Sequence, residues 1–557
     1  FSSDVFVSFG SQDAYTFFPT IYGGLISLLG TSPAAALLTF GGALAVICAT
    51  WWLARGVSDH RSAWLAAGLV AALPTAYGSG GGFALVEAFV TPRAWAEALV
   101  LLGIGFQVRG HLLPVFGCLA VALLVHPVMA FPGAVVIALL AVSRISWRWQ
   151  YIVLFGAAIV FAVVAALPLQ RWQLDQQWSA VIGHGEYLYI HNWTLPDWTV
   201  VLRTACTLGF AAVVVPRARS VAVATLAAMA GLLLLSAVGA DLLHLALIVQ
   251  GQAWRVTWLV LAISIAFCPA TIVACLAESL MLRCAGLLLA AAWIAGSNGL
   301  ALLLTLCATF CALLGFAGLS RKAGAPLGRS VKYAVLLLVV CSLAVASLEA
   351  ADELNEARSS TWQVVRTLAS DGVAPACLLV LASYGVSRLH GNLNVLTGMV
   401  ALSVFLLAAT CSKAWQEWRN TYYTPAVRSA FAPWRQRIPP GSDVLWATRL
   451  LTHSDPSFVW LALDRPSYFS SIQGASALFS RDAAMEISRR LDTLPVALPI
   501  EHPRNMTITG DSLPQVSCSS VPVKYLISSA PVAMAEIVPA PADAPEPFRR
   551  LRLYICP

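Results

Sequence analysis

The stretch TWLVLAISIAFCPATIVAC, residues 257–275, decides the fold. It has no charged side chain and is about as long as the ~20 residues needed to cross a bilayer as a helix. It is one of many such segments. Of the 557 residues 59% are apolar and only 11% charged, whereas charged residues make up about 25% of a soluble domain. An ordinary soluble fold is excluded. The net charge of +7 reads as an inside-positive bias of a membrane protein, not as a nucleic-acid surface.

Working outward, spans are expected at 33–54, 62–77, 94–108, 112–126, 127–143, 151–169, 199–215, 220–238, 257–275, 284–297, 300–318, 333–350, 370–387 and 392–410. The fold class is an all-α polytopic membrane protein of about 13–15 transmembrane helices. Short loops with Arg55 and Arg61, Arg109, Arg144 and Arg148, Arg217 and Arg219, Arg283, Arg321 to Lys332, and Arg388 are assigned to the cytoplasm. The alternate loops, 1–32, 78–93, 170–198, 239–256 and 351–369, are longer and carry acids, Trp, His and Gly. They face outward in this reading, from a bacterial inner membrane. The chain starts at Phe1, so a signal-anchor or first helix is expected upstream.

Three regions result. Residues 1–32 form a first external loop, with an interfacial helix near 14–30. Residues 33–411 form the multi-span domain, and 412–557 a small external α/β domain. In the tail, DVLWA (443–447), FVWLAL (458–463), VKYLIS (523–528) and LRLYIC (551–556) read as strands. SRDAAMEISRRLDTL (480–494) reads as a helix capped by Ser480. Cys518 and Cys556 are candidates for a disulfide in an oxidising compartment. Arg465, Tyr468, Gln473 and Arg481 either contact an acceptor or stabilise the domain.

A charge in lipid surroundings is costly and is a functional candidate by default. In the first external segment the acids are Asp4 and Asp13, candidate general bases or solvated loop residues. In the second, GSGGGFALVEAFVTPRAWAEALV, Glu87, Arg93 and Glu97 surround the Thr91-Pro92 break. Arg93 either holds a phosphate or pairs with Glu87 or Glu97. His126 precedes Pro127 at a helix end. The loop at 170–198 gathers His184, Glu186, His191 and Trp193. Its aromatics suit sugar stacking or an interface belt, and its His and Glu offer metal ligands in no diagnostic spacing. Gln252 and Arg255 stand where a span opens, and Arg255 either binds a lipid-linked phosphate or snorkels to the border.

At these residues the chain resembles the GT-C-type integral-membrane glycosyltransferases, in an uncharacterised bacterial branch. The resemblance rests on an acid in the first external loop (Asp13 in GSQDAYTFFP, or Asp4), on the Glu87–Arg93 loop entering a helix with His126-Pro127 beyond it, and on a many-helix core followed by an external α/β domain. The paired acids of the family's first loop are not found here. The resemblance implies transfer of a sugar from a polyprenyl-phosphate donor to a lipid, glycan or protein acceptor on the outer face. By resemblance Asp13, Asp4 or Glu87 acts as base, and Arg255 or Arg93 holds the donor phosphate. His126, His184, Glu186, His191, Trp193 and Gln252 contact substrate in that reading, with a divalent cation (magnesium or manganese) as an open option. Two rivals remain at this stage. One is a polysaccharide polymerase or ligase on polyprenyl-diphosphate glycans. The other is a lipid or solute transporter, which ought to show repeated halves and mid-membrane charges.

Overall fold

The computed structural model describes residues 2–10, 15–73, 75–87, 89–144, 173–183, 186–316, 335, 425–448, 458–470, 473–494, 516–545 and 548–557. The spans expected at 151–169, 370–387 and 392–410, and the one at 333–350 apart from Val335, lie outside the described residues. Two compact units divide the chain: residues 15–172 with 189–414, and residues 1–14 with 173–188 and 415–557.

The larger unit is helical. Its elements are α1 (Phe18–Leu29), α2 (Thr31–Val57), α3 (His60–Ala72), a hairpin of β1 (Ala76–Tyr77) and β2 (Phe83–Ala84), α4 (Arg93–Val108), α5 (Leu112–Val125), α6 (Pro127–Ser143), α7 (Leu195–Val214), α8 (Arg219–Leu235), α9 (Ala246–Gly251), α10 (Val256–Ala277), α11 (Leu280–Ile294) and α12 (Gly299–Phe316). Among the described residues five helical stretches are long and apolar enough to cross a membrane: Thr31–Val57, Leu195–Val214, Arg219–Leu242, Ala246–Ala277 and Gly299–Phe316.

Local chemistry sets the boundaries. Asp59 caps α3 by accepting from the amides of Arg61 and Ser62 at 2.8 and 3.0 Å. Thr194 and Asp197 form a capping box on α7. The span expected at 62–77 is corrected: α3 stops at Ala72, and residues 76–77 turn into the hairpin. Pro74 lacks the amide a continuing helix would need. α10 is the central element and packs against α2, α3, α7, α8 and α11. Val256 through Pro269 are buried on every side, which marks a core helix, not a lipid-facing one. Glycine sets the closest crossing of α2 and α4: a Cβ on Gly105 would lie 2.6 Å from Trp52 Cδ1.

The second unit is a mixed sheet with helices, as expected for the tail. β3 (Val444–Trp446) runs parallel to β4 (Tyr525–Ser528). The order continues through antiparallel partners, with β6 (Arg552–Ile555) between β4 and β5 (Glu536–Pro539). The amphipathic helix Arg481–Asp492 starts at Ser480, whose hydroxyl accepts from Ala483 N at 3.2 Å. Phe431, Trp434, Phe458 and Phe548 build the aromatic core. Cys518 and Cys556 form a disulfide.

One tail strand is corrected. FVWLAL is a π-helical turn over Phe458–Ala462, not a strand. It buries Phe458, Val459 and Ala462 together, and two residues beyond its end Asp464 takes a left-handed φ of 58°. The Arg465 guanidinium donates to the carbonyls of Ile438, Arg435 and Asp464. Tyr468 meets Thr493, Gln473 donates to Ser467 O, and Arg481 pairs with Asp175. These four side chains knit the unit together.

Candidate functional site

Within the helical unit, two chain segments far apart in sequence bring their cations to one aromatic ring. Pro92 and Arg93 start α4. Ala253–Arg255 is a single 3-10 turn leading into α10. The Arg93 guanidinium carbon lies 4.9 Å from the centre of the Phe83 ring, and that of Arg255 lies 4.3 Å from it. Such cation–π contacts hold a guanidinium in place while leaving its N–H edge for an anion.

The hairpin makes the ring available. Tyr77 stacks on Phe83 with centroids 5.8 Å apart. Gly78 turns the chain at φ 77°, and a Cβ there would stand 2.8 Å from Trp254 Cζ3. Only glycine accommodates both the conformation and the indole. Trp254 then reaches Phe83 on one side and Trp193 on the other, at 5.7 and 6.1 Å.

Glu87 answers Arg93 with a two-point pair: Arg93 Nε to Oε2 at 2.9 Å and Nη2 to Oε1 at 2.6 Å. Burial pushes the Glu87 carboxyl above its ordinary range, against the opposing pull of Arg93. Arg255 is buried and donates to Gln252 Oε1 and to Met129 Sδ. Gln252 itself is left-handed at φ 46°, a conformation that costs a non-glycine residue about 1–3 kcal/mol and concentrates at functional sites.

Around this pair lie buried polar atoms with no hydrogen-bond partner: Glu97 Oε2, His126 Nδ1, Trp193 Nε1 and Trp254 Nε1. Glu97 is wholly buried, and its other oxygen is 3.4 Å from the Tyr77 hydroxyl, longer than an ordinary O–H···O bond. Buried polar atoms are normally satisfied, so an unsatisfied group gathered near two guanidiniums marks a place built for polar chemistry.

Of the residues expected from sequence, Glu87, Arg93, His126, Trp193, Gln252 and Arg255 thus meet in one neighbourhood. Of the two pairings open for Arg93, the one with Glu87 forms. Asp13 and His184 lie outside the described residues. Glu186 opens a 3-10 turn, Glu186–Leu188, in the other unit. Asp4 also belongs there and is buried: its carboxylate accepts from Phe6 N, Val7 N, Trp460 Nε1 and Ser467 N. His191 is largely exposed, and its amide and ring meet Asp241 Oδ2 at 2.9 and 3.4 Å. Among the described residues no group of three or more His, Cys, Asp or Glu side chains is placed to hold a metal ion. Sequence reasoning missed Tyr77, which it placed at the end of a span, and gave Glu97 only an ion-pair role. A lone carboxylate one turn into an apolar helix was the available signal.

Comparison with protein-family models, with curated proteins and with solved structures finds no match for this chain.

Proposed function

We propose that this protein is a membrane glycosyltransferase that takes a sugar from a polyprenyl-phosphate-linked donor and passes it to a lipid, glycan or protein acceptor at the outer membrane surface. The observation that supports this reading is the convergence of Arg93 and Arg255 on Phe83, with Glu87 held against Arg93. Glycosyl transfer needs a cation for the departing phosphate and a base for the acceptor hydroxyl. Two guanidiniums at helix starts, near a wall of Trp254 and Trp193, suit a phosphate carrying a sugar and a lipid tail. In this reading the donor phosphate competes with Glu87 for Arg93. The carboxylate released takes the acceptor proton, and its raised pKa suits that task. Arg255 contributes the second phosphate contact, and Gln252 aims it.

The test is transfer of radiolabelled sugar from polyprenyl-phosphate donors to a native glycan and lipid extract by purified protein in detergent. Transfer by the wild type that is lost in Arg255→Ala and Glu87→Gln, with both variants folded, supports the reading. Absence of transfer from every monophosphate donor overturns it. Chain growth from diphosphate-linked oligosaccharides in the same preparation would then assign a polymerase.

A further inference from the structure

Away from that site, α2, α3 and α4 leave between them a groove of about 460 Å³, within the roughly 300–1,000 Å³ typical of small-molecule sites. Trp51 and Trp52 of α2, Trp64 of α3 and Phe106 of α4 form most of its wall, and the exposed Cys48 stands along it. The rings are fixed by one another. Trp51 and Trp64 centroids are 5.4 Å apart, as are those of Trp52 and Phe106. Trp64 Nε1 also donates to His60 Nε2 at 3.1 Å.

Two features say what such a groove would take. First, the wall is apolar throughout, with Ile47, Ala67 and Leu102 filling in between the rings. Such a wall suits an acyl chain. Second, Trp52 of that wall carries a basic side chain on its ring. The Arg109 guanidinium lies 3.8 Å from the Trp52 ring and donates to Trp52 O and Gly105 O. A Cβ on Gly56 would sit 2.9 Å from Arg109 Nη1, so glycine there makes the crossing possible. Arg55 donates to Ser58 O beside it. Burial first, and then the like charge of Arg55, hold the Arg109 pKa below its ordinary value. An anion placed beside Arg109 would offset that burial. The nearby acid, Asp59, is occupied in capping α3 and bonding the Ser62 hydroxyl.

We infer that this groove binds an anionic phospholipid, with an acyl chain along Trp51, Trp64 and Phe106 and the headgroup phosphate at Arg55 and Arg109. Charge complementarity selects this occupant over a neutral lipid, as basic residues at a membrane border select anionic headgroups.

The experiment is native mass spectrometry of the full chain released from nanodiscs holding equal amounts of palmitoyl-oleoyl phosphatidylglycerol and phosphatidylcholine. The wild type should retain phosphatidylglycerol at least several-fold over phosphatidylcholine. Cys48→Trp, which fills the groove from an exposed position, should lose the bound lipid. Arg55→Gln with Arg109→Gln should lose the preference but keep some lipid. A phosphatidylglycerol bearing a diazirine in its tail should label peptides containing Trp51, Trp64 or Phe106 in the wild type, a readout that needs no variant to fold. Equal retention of both lipids, label confined to other peptides, or a dimer occupying the face without lipid would each overturn the proposal.

Discussion

Asp4 Oδ2 accepts a 2.7 Å hydrogen bond from the indole Nε1 of Trp460, which lies 456 positions later in the chain. The same oxygen accepts from Ser467 N at 3.0 Å, and Oδ1 caps the helix Val5–Phe9. The N-terminal segment is therefore fastened into the sheet-containing unit by one buried carboxylate. Ser3 adds a hydroxyl bond to Asp443, and Arg490 donates to Ser3 O. Hydrogen bonds to a charged group are each worth about 1.5–3 kcal/mol. Asp4→Ala should therefore loosen residues 2–10 and 458–470 together, seen as faster hydrogen exchange in both segments. Trp460→Phe, which removes one donor and keeps the ring, should show a smaller effect in the same two places.

The pair between Glu87 and Arg93 makes an asymmetric prediction. Removing one member of a buried ion pair strands the other and costs about 3–5 kcal/mol, whereas replacing both with apolar side chains is often neutral. Arg93→Leu should lower the melting temperature of the detergent-solubilised protein markedly. Glu87→Leu combined with Arg93→Leu should recover most of the loss while abolishing any activity that depends on the pair. Equal destabilisation by the single and double variants would show that the pair adds stability of its own.

Much of this arrangement could be read from the sequence, for a specific reason. Arg93, Arg255, Glu87, His126 and Gln252 are polar side chains in apolar surroundings, so each stood out singly. Their meeting at Phe83 was not legible, because the loop holding Arg93 and the turn holding Arg255 are brought together by tertiary packing, with α2 and α6 each touching both α4 and α10. Helical spacing left Arg93 with either Glu87 or Glu97, and the choice depends on the chain path before Pro92. Asp4 was visible as an acid, but its partners Trp460 and Ser467 carry no mark that pairs them with it. The tail strands DVLWA, VKYLIS and LRLYIC were legible from β-branched and aromatic content. FVWLAL was not, since a short apolar run reads the same in a strand and a buried helical turn.

The disulfide between Cys518 and Cys556 closes a loop with a sequence separation of 38 and ties the end of β6 to the turn before β4. Cross-links of this kind contribute about 2–4 kcal/mol. Cys518→Ser with Cys556→Ser should lower the thermal stability of the sheet-containing unit, and reductant should do so in the wild type but not in the double variant. A reductant effect of the same size in the double variant would remove the disulfide as its cause.

A pH dependence follows from Glu486. The Arg489 hydrogen bond, with further help from Arg490, holds its carboxyl down to about 2, from an ordinary 4.5. The lower value in the folded chain means that the unfolded chain takes up this proton first as pH falls. The stabilisation is fully present above pH 4.5 and is lost as the pH drops toward 2. Arg490 is the member that matters, because its side chain is only 7% exposed and also donates to Tyr468 O and Ser3 O. Hydrogen exchange across Arg481–Asp492 in the intact protein should therefore accelerate between pH 4.5 and 2 once intrinsic exchange rates are divided out. Glu486→Gln should abolish that acid-dependent step and leave the helix less protected at neutral pH. Persistence of the full step in Glu486→Gln would assign it to another carboxylate.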